Sequence, residues 1–356
     1  MDWAPADAAM LADCAALRGA ALETSTTDSY RWGIEQVAHW AATEHGMQRN
    51  VVLPAKRGQA IAARHVGAFL KWGAGRWNVG TLKVVQGAIA HWHHENGAAN
   101  FLDTPEGDLW KRGAAKLAAR RQGARGVRRA PGLPLAVLRA LVAWLRRQED
   151  AQPQYRERYR RDAAWAVLGF YGLLRRSELG ALRVRDVTVA QGGVAIYIHK
   201  SKNSQLVGVW IHLPDTTASG MHIREIVQRW LATRHELDGG AAPPDGPLFT
   251  AWQRGGAAPA RGRMTARALA PTAKGQALVE MFKLYLGQMV ADGTLQGEDA
   301  VQPYTGHSLR RGGATALYHA GWTAEEIIAH GRWTSEAYRI YLERTVEQRR
   351  DIVRRL

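Results

Sequence analysis

Cysteine is almost absent from this sequence, since Cys14 is the only one among 356 residues. A single thiol forms no intramolecular disulfide and supplies no cysteine-based zinc site, so disulfide scaffolds and zinc fingers are excluded. Chains poor in cysteine are typical of reducing compartments, and we therefore expect an intracellular protein.

Long apolar runs and the features of a secretory signal are also missing. The longest apolar stretch, Ala163 to Leu174, has 12 residues, which is too short to span a bilayer and predicts a buried helix. No basic residue precedes Arg18, whereas a secretory signal starts with positive charge. We expect neither a secretory signal nor a membrane partner.

Two chemical signatures are absent as well. The pattern G-x-x-x-x-G-K-[ST] of a nucleotide-binding loop does not occur. No carboxylate cluster resembles the acidic triads that hold two metal ions in many nucleases. We therefore expect a protein that works without a metal ion or another cofactor.

Positive charge is present in excess. Lys and Arg number 48 against 32 Asp and Glu, which gives a net charge of +16 with His neutral. Such an excess is typical of proteins with a polyanionic partner, most often nucleic acid. A generally basic, Ala- and Arg-rich composition is the alternative source of this charge.

The hydrophobic pattern predicts a mainly α protein with two domains. Helical spacing and capping residues mark four helices in the first half, over residues 28–44, 59–72, 81–95 and 104–121. The stretch RRQGARGVRRAPGLP contains five Arg, three Gly and two Pro and is typical of a linker. We divide the chain into a helical domain (1–120), a basic linker (121–134) and a second domain (135–356).

The second domain is predicted to be α+β. Helices over 135–148 and 155–174 precede three Val- and Ile-rich segments, LRVRDVTV, GVAIYIH and LVGVWIHL, which predict a small antiparallel sheet. Residues 237–247 predict a loop, and a helical pattern returns near Ala273. Helices around a small sheet define this fold class.

Three clusters in the second domain have residue types suited to chemistry. Arg175 follows the apolar run, and Glu178 lies three residues on, close enough to orient it. His307 and Arg310 share one helical face, on which they can address one oxyanion together. Taken alone, the Arg175 and Glu178 cluster also fits a surface ion pair of small energetic value. The His307 and Arg310 cluster also fits an H-x-x-R motif that occurs by chance.

The third cluster contains Trp333, Tyr338 and Tyr341, in the segment HGRWTSEAYRIY. The two tyrosines lie about one helical turn apart. Core aromatics on an amphipathic helix are the alternative interpretation.

The order of these clusters resembles the tyrosine recombinases, or phage-type integrases. An L-R-x-x-E-L helix, a hairpin lysine, H-x-x-R, a Trp and a late Tyr occur here in the family's order, over roughly residues 135–356. The phrase GRWTSEAYRIY places the chain nearest to Cre-like enzymes and to recombinases of DIRS and Crypton elements. The helical first half resembles, more loosely, the family's core-binding domain, which clamps DNA.

The resemblance implies a role for each matching residue. Arg175 and Arg310 would clamp the two non-bridging oxygens of a phosphodiester, with Glu178 holding Arg175. His307 would help to take the tyrosine proton, and Lys202 on the hairpin would protonate the leaving 5′ oxygen. Tyr341 would form a covalent 3′-phosphotyrosine.

Trp333 would occupy the family's His-or-Trp position. It lies eight residues before Tyr341, where many bacterial members have nine. His330 and Tyr338 are also eight apart, so Tyr338 stays the alternative nucleophile. We prefer Trp333 and Tyr341, because Gly331 precedes the Trp.

The resemblance also implies an activity and partners. We expect a site-specific recombinase or integrase that cleaves and rejoins double-stranded DNA at inverted repeats, as a homo-tetramer on two sites. The segment 345–356 is predicted to pack on a neighbouring protomer. A catalytically inactive DNA-binding protein, a type IB topoisomerase and an RNA-binding protein are the alternatives.

Overall fold

The computed structural model describes most of the chain in segments separated by gaps. These segments are residues 24–45, 53, 63–123, 130–199, 208–253, 263–268, 272–297, 302–334 and 338–339. The chain divides into two compact units, residues 1–128 and 129–356. The division falls inside the basic stretch 121–134.

The described part of the N-terminal unit contains four α-helices. They are α1 (Thr24–His45), α2 (Ala63–Ala74), α3 (Val79–Glu95) and α4 (Pro105–Gln122). Asn78 and Thr104 cap α3 and α4, because each side-chain oxygen accepts a backbone N–H three residues on, at 2.8 and 3.0 Å. Val37, Phe69 and Val85 belong to the single buried core that these helices share.

The described part of the C-terminal unit consists of helices around a three-stranded sheet, with a separate two-stranded hairpin. The helices are α5 (Leu135–Ala151), α6 (Arg156–Tyr171), α7 (Arg176–Ala181), α8 (Ile223–Leu237), α9 (Thr272–Ala291), α10 (Gly306–His319) and α11 (Ala324–Gly331). The strands are β1 (Val187–Ala190), β2 (Gly193–Ile198), β3 (Val209–Pro214), β4 (Thr250–Gln253) and β5 (Arg263–Ala268).

The sheet is antiparallel in the order β1-β2-β3. Ile196 pairs with Val187 on one side and Ile211 on the other, and all three side chains are buried. Tyr197 pairs with Trp210, which is 51% exposed. This alternation is that of a sheet with one face on the core and one facing solvent.

Helix α6 lies at the centre of the unit. Every side chain from Arg161 to Phe170 is buried, as the apolar run predicts. The helix ends at Tyr171, three residues before the predicted end, because the chain turns through Leu173 at φ 46°. This turn brings Arg175 to the start of α7.

The predicted fold class, a mainly α chain whose second half is α+β with a small antiparallel sheet, is confirmed. The hairpin of β4 and β5, in which Thr250 pairs with Ala268, was not predicted. Its strands are short, and Gly, Ala and Pro between them are typical of a loop.

Two glycines of α10 allow other backbone segments to approach it closely. A Cβ at Gly312 would overlap the carbonyl oxygen of Leu133, and one at Gly313 would overlap that of Phe170 in α6. The Leu133 N–H also donates to the Ser308 carbonyl at 2.9 Å. The small residues after Arg310 therefore let α10 lie against two neighbouring segments.

We expect Gly312→Ala to destabilise the protein by about 1–3 kcal/mol, because a methyl group would force α10 away from Leu133. Gly287→Ala in α9 is the matched control: nothing lies within 4 Å of its Cβ position. That control should gain up to about 1 kcal/mol from helix propensity. Urea denaturation of both variants measures the difference, and equal midpoints would contradict the close approach.

Candidate active site

Arg175 and Glu178 form a buried ion pair at the start of α7. The Arg175 Nη1 donates to Glu178 Oε1 at 2.5 Å, and the Arg175 backbone N–H donates to Glu178 Oε2 at 2.8 Å. The Glu178 side chain is 3% exposed and that of Arg175 is 17% exposed. One carboxylate thus caps the helix and also holds the arginine side chain in place.

Glu178 has a second guanidinium partner that the sequence analysis missed. Arg332 Nη2 donates to Glu178 Oε2 at 2.8 Å, across 154 positions of the chain. Burial raises the pKa of Glu178, but Arg332 and Arg175 outweigh it, so the pKa lies below its ordinary value of 4.5. The carboxylate is therefore ionised at neutral pH and balances two cations.

Arg310 lies on α10 and is 1% exposed. Its Nη1 donates to the Leu173 carbonyl, and its Nη2 donates to the Gly331 carbonyl at 2.6 Å. The guanidinium carbon also lies 4.2 Å from the centroid of the Trp333 ring, in cation–π contact. These contacts hold the Arg310 guanidinium beside the turn that leads to Arg175.

His307 lies in the first turn of α10, one turn before Arg310, and is exposed. The Thr305 hydroxyl caps this turn by accepting the His307 backbone N–H at 3.2 Å. Partial burial of the ring lowers the pKa of His307, and the guanidiniums of Arg176 and Arg310 lower it further. The imidazole is therefore neutral at pH 7 and able to accept a proton.

Trp333 and Tyr338 lie together in a small buried cluster. Trp333 is 7% exposed and Tyr338 is 6% exposed, with ring centroids 6.4 Å apart. His330 instead turns toward α6, where its Nε2 donates to the Tyr171 carbonyl at 2.7 Å. This geometry favours Trp333 over His330 as the residue beside Arg310, although its role stays a prediction.

The structure therefore brings Arg175, Glu178, Arg310 and Trp333 around one turn, with His307 at the nearby end of α10. Lys202 and Tyr341 lie outside the described residues. Arg332 had no distinctive signal in the sequence beyond its place between Gly331 and Trp333.

The described segments contain neither a cluster of metal ligands nor a helix suited to a membrane. No group of three or more His, Cys, Asp or Glu side chains there is arranged to hold a metal ion. No helix there is both long and apolar enough to cross a bilayer.

Comparison with known proteins finds relatives of one kind. No family model matches the chain. An integrase/recombinase XerD homologue of Selenomonas ruminantium is 31% identical over 177 residues, covering 49% of this chain and 45% of the relative. The Cre recombinase of Escherichia phage P1 is 28% identical over 181 residues, covering 49% and 46%. The chain thus resembles tyrosine recombinases in sequence over about half of its length.

The fold of this chain is also found in solved structures. The site-specific recombinase XerH, in a post-cleavage complex with a palindromic difH substrate, superposes with a TM-score of 0.53 at 16% identity. The match covers 82% of this chain and 69% of XerH. At this identity the likeness concerns the fold alone.

The chain spans about half the length of the curated relatives it matches. The match to Cre agrees with the predicted resemblance to Cre-like enzymes. The resemblance to DIRS and Crypton recombinases stays a prediction.

Proposed function

We propose that this protein is a site-specific DNA recombinase or integrase that cleaves and rejoins DNA strands through a covalent 3′-phosphotyrosine at Tyr341, without a metal ion or ATP. One observation carries the proposal: Arg175 and Arg310 are both held at the turn after α6. The Arg310 guanidinium donates to the carbonyl of Leu173, two residues before Arg175.

Two arginines fixed in this way suit a phosphodiester. Cleavage without a metal ion needs other cations on the two non-bridging oxygens, and guanidinium groups supply charged donors in a rigid fork. The contacts of Arg175 to Glu178 and of Arg310 to Trp333 restrict both groups before substrate arrives. Preorganised donors of this kind stabilise the charge that develops in the transition state.

The remaining roles complete a balanced transesterification. The Tyr341 oxygen attacks phosphorus, His307 accepts the tyrosine proton, and the 5′ oxygen leaves with a proton from Lys202. The lowered pKa of His307 leaves a neutral base for the first step. Because the phosphotyrosine ester keeps the bond energy, a 5′ hydroxyl can reverse the step without ATP.

The DNA partner follows from charge and from the relatives. The net charge of +16 suits a polyanion. The relatives are described as recombinases, and XerH is bound to a palindromic substrate. We extend this to inverted repeats in double-stranded DNA, a helical N-terminal domain that clamps the duplex, and a homo-tetramer on two sites.

The experiment first selects bound duplexes from a random DNA pool and then offers a nicked suicide duplex of the selected site. In excess EDTA and without nucleotide, we expect a covalent protein–DNA adduct that resists detergent and is destroyed by protease.

Each of the other outcomes would indicate a different function. A requirement for Mg²⁺ would indicate metal-dependent nuclease chemistry. Relaxation of supercoils without a specific site would indicate a type IB topoisomerase. Binding without any adduct would indicate a DNA-binding protein that lacks catalysis, and preference for RNA would reject the DNA partner.

A further inference from the structure

Arg332 contacts the groups that hold two predicted catalytic residues, Arg175 and Arg310. Its Nη2 donates to Glu178 Oε2 at 2.8 Å, and Glu178 in turn holds Arg175. The same Nη2 lies 3.3 Å from the Leu173 carbonyl, which also accepts from Arg310. The next residue in the chain is Trp333.

The backbone around Arg332 is unusual for its residue type. Arg332 ends α11 in the left-handed conformation, with φ 56° and ψ 44°. Glycine normally fills this position, because a Cβ there is strained. An arginine in the left-handed region is strained, and its side-chain contacts must offset that strain.

The side chain is nearly enclosed and makes several bonds. It is 7% exposed, and its Nη1 donates to the carbonyls of His330 at 3.2 Å and Gly172 at 3.4 Å. A helix cap alone needs none of these side-chain bonds. The guanidinium instead ties the end of α11 to the turn between α6 and α7.

We propose that Arg332 is a positioning residue, which shares the Glu178 carboxylate with Arg175 and so fixes the phosphate-binding guanidinium for cleavage. This inference rests on the proposed recombinase function. Without Arg332, Glu178 would be a buried carboxylate with one cation, and the turn at Leu173 would lose one of its two guanidinium contacts.

The charges around Glu178 allow the positioning role of Arg332 to be tested through the pH dependence of cleavage. Arg175 and Arg332 contact the carboxylate. Glu178 also borders a cavity of about 500 Å³, whose other charged or titratable lining residues are Arg183, Arg185, Asp186, Tyr197 and His199. Burial raises the pKa of Glu178, and Arg332 and Arg175 lower it. When Arg332 is removed, only Arg175 opposes the effect of burial, so the pKa of Glu178 rises. Since Glu178 must be ionised to hold Arg175, cleavage by the variant is lost as pH falls through the raised pKa.

The test compares Arg332→Gly, Arg332→Gln and Arg332→Lys with the parent protein. We expect the Gly and Gln variants to bind a half-site normally and to cleave about 10- to 100-fold more slowly at pH 7. Their deficit should grow toward acid pH and shrink toward alkaline pH. The Lys variant should recover part of the rate and keep the parent pH profile. Arg332 also lowers the pKa of His330, so the pH profiles are read together with a direct measurement of the Glu178 pKa.

Single-turnover rate constants are used because they do not depend on the folded fraction. A second readout needs no activity: ¹³C NMR of the glutamate carboxyls, with Glu178 assigned from Glu178→Gln, should show the raised pKa in the Gly and Gln variants. Glycine also relieves the left-handed strain. If Arg332 only caps α11, the Gly variant should therefore be stable and keep the parent's cleavage rate and pH profile.

The two proposals fail in different ways. A parent protein without any adduct overturns the recombinase function. An active parent whose Gly and Gln variants keep its rate, pH profile and Glu178 pKa overturns the role of Arg332 alone. If the Gly variant does not fold, the cleavage rate, the pH profile and the Glu178 pKa of the Gln and Lys variants still test the role of Arg332.

Discussion

Tyr341→Phe should bind the selected DNA with unchanged affinity and form no covalent adduct, a loss of at least about 10³-fold in cleavage. The substitution removes one hydroxyl, which is the proposed nucleophile, and leaves the ring. Trapping on nicked suicide duplexes measures the adduct, and gel shifts measure binding.

Tyr338→Phe is the matched control. Tyr338 is 6% exposed and packs against Trp333, in a cluster that also holds Leu173 and Ile327. Phenylalanine keeps that packing, so trapping should continue. If Tyr341→Phe still forms the adduct and Tyr338→Phe does not, Tyr338 is the nucleophile and our register is wrong.

Arg175→Ala and Arg310→Ala should each slow cleavage by about 10²-fold or more, equivalent to roughly 3–4 kcal/mol of lost transition-state stabilisation. Their effects on folding should differ. Without Arg175, Glu178 keeps its bond to Arg332. Without Arg310, the Leu173 carbonyl keeps its contact with Arg332, but the buried Gly331 carbonyl loses a charged donor, which costs about 1–3 kcal/mol for a group left unpaired.

Single-turnover cleavage and thermal denaturation separate these two effects. We expect a lower melting temperature for Arg310→Ala than for Arg175→Ala, and only a modest loss of DNA binding for both. Arg146→Ala is the control, since this arginine is 57% exposed on α5 and pairs with Glu225. Near-normal cleavage by either active-site variant would reject the phosphate clamp.

Sequence patterns were strongest where local chemistry decides the structure. Thr104 caps α4 as its position before Pro105 and Glu106 suggests. The apolar run after Ala163 is buried as predicted, and the Val- and Ile-rich segments form the sheet. The three-residue spacing of Arg175 and Glu178 was enough to predict their pairing, although the pair forms because Glu178 at the third position of α7 reaches back to Arg175 at its N-cap.

Contacts between distant parts of the chain could not be predicted from these local patterns. Strands β4 and β5 were missed because their stability depends on a partner segment rather than on their own composition. Arg332 was missed for a similar reason, since its contacts to Glu178 and Leu173 join residues more than 150 positions apart.

The sequence by itself determined most of the helices, the strand segments of the sheet, and the order of residues that resembles the tyrosine recombinases. These depend on periodicity, on capping and on residue type, all of which act over a few positions. The tertiary structure alone decided that Arg310 is buried over Trp333 and that Glu178 serves two arginines. A buried charge is stable only where folding brings its partner to it, and those partners come from distant parts of the chain.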